Sequence, residues 1–548
     1  MRQSRPRLLV IFKQATIMNV KMNSYRIKIN GIVQGVGFRP HVYRLAMRYE
    51  LKGWVLNSSA GVIIEIEGEE NIIRQFLHQV VEEPPALAVI RDWQIDATPW
   101  HGYQEFTIKI SDDREDKTVM ISPDIAVCKE CREEVMDRQD RRFDYPFTNC
   151  TNCGPRFTII KGLPYDRAMT TMDAFPMCPA CQAEYENPLH RRFHAQPNAC
   201  PVCGPHTTLC DNRGKSVNGD ARDYLKQGHI VAVKGLGGFH LAVDACNRDA
   251  VANLRKRKKR DAKPFAVMAR DLEAAHKYCQ INAEEEKWLA SPQAPIVILE
   301  RNEQCLLAAD IIHPGIKTLG VMLPYTPLHF LLFDEELEIL IMTSANISDE
   351  PLIIDNHEAL DKLKGIADCF LLHNRDIYNP CDDSVMRVTS FNTPHLFRRA
   401  RGFVPRGIPL NIKTEPVLAL GGEMKNAFCI TRQGEAFLSQ HWGDLNHYLN
   451  YVNFQRGIER FKQSLYVEPK ILAHDLHPEY QTTRWARQQP YPKKIAIQHH
   501  FAHMASVMAE HQLQGEVLGL ICDGTGWGTD GAVWGGRFCK ETVAISSG

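Results

Sequence analysis

Eight cysteines between residues 128 and 203 form four C-x2-C pairs, Cys128/Cys131, Cys150/Cys153, Cys178/Cys181 and Cys200/Cys203, separated by 18, 24 and 18 residues. Each such turn aims two thiolates at one point, and two turns complete a tetrahedral S4 site for a soft cation of the Zn²⁺ type. The layout predicts two structural zinc ions with no open coordination position, each adding on the order of 10 kcal/mol to folding. Spacing leaves the pairing open: sequential pairs or a nested first-with-fourth arrangement would both close. Three other groups carry chemistry. In GIVQGVGFRP, glycines 31, 35 and 37 let the backbone N–H groups of Gly35, Val36, Gly37 and Phe38 form an anion nest at a helix start, with Arg39 beside it. The basic run 255–268 holds Lys258, Arg260 and Lys263 between a strand ending at Lys234 and the later TSANISDEP, with Ser344 and Asn346. Near the C-terminal end, His499 and His503 stand four apart and share one helix face, where they can hold one metal ion. CDGTGWGTDGAVWGG follows, with Asp523 and Gly524 facing phosphate or metal.

These groups need several units to position them. The chain has 548 residues, 44% hydrophobic and 24% charged, a length that calls for about three or four domains. A net charge of zero argues against a general nucleic-acid binder. Eight of 17 cysteines belong to the zinc block and the rest are scattered, which fits a reducing cytoplasm rather than export. No stretch approaches the ~20 apolar residues of a membrane helix. The first 23 residues read as an untidy leader, with Met18 or Met22 as a candidate start.

The fold class is multidomain α/β and α+β. Residues 24–112 show the order β-α-β-β-α-β of a ferredoxin-like sandwich, with YRIKIN as first strand, helices at 41–51 and 70–81, and EFTIKI as last strand. A double zinc-finger domain spans 122–208, an α/β nucleotide-binding domain 218–405, and a further α/β domain 413–548 opens on VLALGGEMKNAFC. No G-x4-G-K-[ST] occurs, so a P-loop ATPase is not supported.

GIVQGVGFRP followed by a strand-borne WVLN closely resembles the acylphosphatase family. The resemblance implies that Arg39 holds a phosphoryl group and Asn57 positions the attacking water. Lys234, the K-x-R of Lys258/Arg260, Lys263, and the S-x-N of Ser344/Asn346 resemble the YrdC family, which binds ATP and makes acyl adenylates. QHHFAHMAS with CDGTGWGTDGAVWGG resembles the actin-like (ASKHA) carbamoyl- and threonylcarbamoyl-transferases, whose histidine pair holds a divalent or iron-type metal; Phe501 stands where a third histidine is expected. These modules in this order resemble the HypF family of hydrogenase-maturation carbamoyltransferases. That implies carbamoyl phosphate and ATP (with Mg²⁺) as substrates and the C-terminal cysteine of a HypE protein as acceptor. A two-lobed actin-like domain takes roughly 330 residues, so 413–548 reads as a partial one in a truncated or frameshifted chain. Two other readings are a tRNA-threonylcarbamoylation or RNA-binding protein, and an inactive scaffold.

Overall fold

The computed structural model describes residues 22–543, apart from 59, 60, 86, 110–120, 164, 303–306, 348, 349, 411, 413 and 414. Residues 1–21, with Met18, and the closing residues 544–548 lie outside the described residues. In the first unit, strands β1 (Met22–Ile32), β2 (Lys52–Ser58), β3 (Gly61–Glu69), β4 (Val89–Ala97) and β5 (Phe106–Ile108) form one sheet ordered β4-β1-β3-β2-β5. Helices α1 (Phe38–Arg48) and α2 (Glu70–Glu82) complete it. In α1, Phe38, Val42, Leu45 and Ala46 are buried, the i, i+4, i+7, i+8 stripe of a helix lying on a sheet. The expected last strand, EFTIKI, is instead an added fifth one, lying parallel to β2. The fourth place belongs to VIRDWQIDA, antiparallel to β1. Its charged residues blur the apolar alternation by which a strand is recognised.

The zinc block is two copies of one motif, fifty residues apart. Helices α3 (Lys129–Met136) and α4 (Pro179–Glu186) each follow an N-cap cysteine, Cys128 or Cys178, and carry Cys131 or Cys181 in the first turn. Beyond it, the third unit is built on one large mixed sheet. At its centre run Ala266–Ala269, Ile339–Ser344, Phe239–Asp244, Val231–Lys234 and Cys369–His373, in that order. The fourth unit has a six-stranded sheet centred on Val417–Leu420 and Ile471–Asp475, with helices Tyr448–Leu465 and His499–Glu510.

The zinc block touches every other unit. Phe157, Ile160, Leu163 and Tyr165 belong to a continuous apolar core that also contains Phe38 of the first unit and Phe428 and Phe461 of the fourth. Asn379 of the third unit donates to the carbonyls of Phe157 (2.8 Å) and Ile160 (3.2 Å). From the fourth unit, the Tyr466 hydroxyl donates to Leu163 O at 2.8 Å. No helix among the described residues is long and apolar enough to cross a membrane.

Candidate functional site

A pocket lies between the first unit and the zinc block. One wall is the glycine-rich turn with Arg39 and Asn57; Thr151, Arg156, Tyr165 and His194 stand on the other. Gly35 (φ 68°) and Gly37 (φ 75°) adopt left-handed backbone, which side-chain-bearing residues rarely take. A Cβ at Gly35 would also stand 3.1 Å from the Tyr165 ring. Arg39, in the first turn of α1, is 7% exposed, yet no protein group among the described residues accepts a hydrogen bond from its guanidinium or pairs with it within 4 Å. Burial lowers its pKa, and the field of Asp166 partly offsets this. A buried cation with five unanswered N–H donors is the signature of an oxyanion site. Asn57, on β2, is also buried, and its Oδ1 has no partner, an acceptor left for a water hydrogen. Val36 and Phe38 turn their side chains into the core and leave their backbone to the nest.

The thiols group in sequence order: Cys128, Cys131, Cys150 and Cys153 form one set, and Cys178, Cys181, Cys200 and Cys203 the other. Sγ–Sγ separations are 3.7 Å (Cys128–Cys150), 3.8 Å (Cys150–Cys153), 3.7 Å (Cys178–Cys200) and 3.6 Å (Cys181–Cys203). Four sulfurs at Zn–S distances of ~2.3 Å stand about 3.8 Å apart on a tetrahedron, so each set fits one zinc ion and none forms a disulfide. The arginines cross over. Arg191 of the second copy donates to Cys131 Sγ (3.2 Å), and Arg141 of the first donates to Cys181 Sγ (2.9 Å). Fully buried Arg192 pairs with Glu134, and equally buried Arg142 with Glu184.

In the third unit Lys258, Ser344 and Asn346 come together. Lys258 Nζ donates to Ser344 O (2.8 Å), Asn346 O (2.7 Å) and Asn346 Oδ1 (3.3 Å), and Ser344 Oγ donates to Asn346 Oδ1 at 2.9 Å. Burial and the neighbouring Arg260 push Lys258 down to about 7, while its three oxygen acceptors favour the ammonium. Lys234 ends its strand at the same end of the sheet, where Lys234 pairs with Phe239 and Ser344 with His240. It is 2% exposed and donates to His373 O at 3.2 Å, so it is no snorkelling surface lysine; burial lowers it to about 8. Lys263 is exposed, and Arg260 donates to the carbonyls of Lys263 and Pro264. The basic run is thus largely turned onto its own fold, with Arg255 held by Ile311 O and Arg257 by Asp368.

In the fourth unit His499, His503 and Asp523 bring three ligand atoms within 4.8 Å of one another. His499 Nδ1 lies 2.6 Å from Asp475 Oδ2, which fixes the tautomer and turns the Nε2 lone pair toward the cluster. His503 Nε2 and His499 Nε2 lie within hydrogen-bond distance at 3.2 Å, while Asp523 Oδ2, 3.0 Å from His499 Nε2, is buried with no hydrogen-bond partner, and two imidazoles with a carboxylate are a donor set that fits a cation. Gly524 beside Asp523 is exposed and has nothing within 4 Å of its Cβ direction. Asp475 was missed at the sequence level, although it stands in the acidic, histidine-flanked HDLHPEY at a strand end. The cavity wall of Arg156, Tyr165 and His194 was missed as well. The repeated RRF at 141–143 and 191–193 was the available signal that this stretch is one doubled structure.

Family models match in four places: acylphosphatase over residues 25–108, HypF finger over 127–160 and 177–210, telomere recombination (Sua5/YciO/YrdC) over 223–400, and the HypF Kae1-like domain over 412–510. Carbamoyltransferase HypF of Synechocystis sp. is 46% identical over 529 residues, covering 95% of this chain and 68% of the relative. A crystal structure of full-length HypF in its phosphate- and nucleotide-bound form superposes with a TM-score of 0.91 at 48% identity, covering 95% of this chain and 69% of that one. An acylphosphatase of Thermotoga petrophila is 45% identical over 89 residues, 16% of this chain but 98% of the relative.

Proposed function

The chain belongs to the HypF family of carbamoyltransferases, and from that premise we propose that it makes, activates and hands on a one-carbon acid at three linked stations. At the first, water attacks the phosphorus of carbamoyl phosphate, the bridging P–O bond breaks, and its electron pair leaves on carbamate. Arg39 and the nest hold the phosphoryl oxygens, and Asn57 Oδ1 orients the water. At the second, a carbamate oxygen attacks the α-phosphorus of ATP, giving carbamoyl adenylate and pyrophosphate. Lys234, Lys258, Arg260 and Lys263 bind the phosphates, Mg²⁺ accompanies them as counter-ion, and Ser344 and Asn346 shape the loop beside them.

At the third, a cysteine thiolate at the C-terminus of a HypE protein attacks the carbamoyl carbon and AMP leaves. His499, His503 and Asp523 would hold a divalent or iron-type cation there, which when bound supplies a Lewis acid for phosphate or acyl oxygen. The carbamoyl group then serves cyanide-ligand synthesis for a [NiFe] hydrogenase. Carbamate decomposes in water, which is the physical reason to fuse the stations around a zinc brace. The free cysteines suit the reducing cytoplasm in which we place the reactions.

The observation that carries the proposal is the buried Arg39, with no protein partner among the described residues, lining the same pocket as the unsatisfied Asn57. The test is ATP–pyrophosphate exchange driven by carbamoyl phosphate. Exchange with AMP formation is expected; a chain that neither consumes carbamoyl phosphate nor forms AMP and pyrophosphate in its presence sinks the proposal. An RNA-binding reading has less to stand on, because Arg255 and Arg257 of the basic run donate to Ile311 O and to Asp368.

A further inference from the structure

The phosphatase cavity has two owners. Everything that would hold the phosphoryl group and its water belongs to the first unit, so the acyl substituent must lie against the opposite wall, which the zinc block supplies entirely. That wall is built to hold its position. Arg156 Nε donates to Gly35 O at 2.9 Å, and its other nitrogens donate to the carbonyls of Cys153 (3.0 Å) and Cys150 (3.3 Å), both zinc ligands. The His194 ring stacks on Tyr185 at 4.9 Å and an interplanar angle of 4°, and the Tyr185 hydroxyl donates to Gln196 Oε1 at 3.0 Å. Gln196 Nε2 in turn donates to His194 O at 3.2 Å.

The finger architecture does not itself call for His194. Fifty residues earlier the same turn is left-handed at Asp144 (φ 58°), as it is at His194 (φ 52°), so the fold needs the backbone conformation but not an imidazole. Only the copy that faces the cavity carries the ring. Burial and the nearby Arg39 push His194 down to about 3, leaving it a neutral group with one donor and one acceptor. A carbamoyl group differs from an acetyl group in offering an N–H donor beside its carbonyl. The Thermotoga petrophila acylphosphatase, matched over 98% of its length by the first unit alone, has no sequence to form such a wall.

We propose that the zinc block sets the acyl specificity of the phosphatase cavity, with His194 hydrogen-bonding the carbamoyl amide and the Tyr165–His194 wall excluding larger acyl groups. This rests on the reading that the cavity hydrolyses carbamoyl phosphate. The test uses the zinc-loaded full chain and compares phosphate release from carbamoyl phosphate, acetyl phosphate and benzoyl phosphate. The wild type is expected to prefer carbamoyl phosphate. His194→Asn keeps a residue that tolerates left-handed backbone but removes the ring. It should lower kcat/KM for carbamoyl phosphate about tenfold, mostly through KM, for one lost hydrogen bond, and raise that for benzoyl phosphate. A ratio between two substrates does not depend on how much of the variant is folded, and Gln196→Met gives a second such ratio. Equal wild-type rates on all three substrates, or variants that slow all three in proportion, would overturn the wall's selective role. A wild type that spares carbamoyl phosphate but cleaves the others would instead overturn the reading of the cavity.

Discussion

Arg39 and Lys258 are both buried cations at the head of a proposed phosphate site, but they stand in opposite states. Among the described residues Arg39 has no protein acceptor, whereas Lys258 is saturated by three oxygens of the loop that carries Ser344 and Asn346. The first site is pre-organised: its donors already point into the cavity, and an oxyanion displaces no protein contact. In the second the cation holds a loop, so a triphosphate must either share Lys258 with those carbonyls or be met mainly by Lys234, Arg260 and Lys263. The difference suits the two proposed reactions. Splitting an activated acyl phosphate needs only clamped charge and an oriented water, while adenylate formation must admit a large nucleotide and release pyrophosphate.

The sharpest way to break this contrast is Arg39→Ala. Losing the guanidinium that clamps the phosphoryl charge should cost about 10³-fold in carbamoyl phosphate hydrolysis, while exchange driven by added carbamate persists; loss of both would mean the stations are not separable. Next in size, Cys131→Ser should remove a zinc ion and cut hydrolysis by about 10²-fold, because the carbonyls that hold Arg156 against Gly35 belong to ligand cysteines. Metal content and hydrolysis are measured together, and undiminished hydrolysis after zinc loss would rule out the coupling. Lys258→Met should raise the KM for ATP about tenfold and leave hydrolysis untouched. An effect on kcat alone would show that the loop, not the charge, is what Lys258 supplies.

The smallest effect is a pH dependence. With Lys258 lowered from 10.5 to about 7, its charge is lost as pH rises past 7, so the KM for ATP should climb between pH 7 and 8 and stay flatter in Lys258→Arg. The folding cost of burying that charge has the opposite sign. It is full below about pH 7 and is relieved as pH rises toward 10.5, because there the unfolded chain binds more protons.

What the sequence showed was whatever is written locally. The cysteine spacing, the glycine turn before Arg39, the S-x-N and the i, i+4 histidines each occupy a few consecutive residues. What it hid was written across distance. Arg156 meets Gly35 over a separation of 121 residues, and Asp475 meets His499 over 24, with no periodicity to link them. The pairing of the fingers was hidden for a related reason: both schemes satisfy tetrahedral sulfur, and only the path of the chain between the pairs decides. Strand β4 escaped because its solvent-facing positions carry Asp92, Gln94 and Asp96, while on its half-buried side Arg91, which pairs with Glu435, interrupts the apolar residues.

The exchanged arginines of the zinc block bear on how the protein is born. Neither finger holds its full set of donors until the other has been made, since Arg191 serves Cys131 and Arg141 serves Cys181. A ribosome that has released only the first four cysteines therefore exposes an ill-satisfied thiolate cluster, and the wall of the phosphatase cavity cannot set until the polypeptide has emerged beyond Cys203.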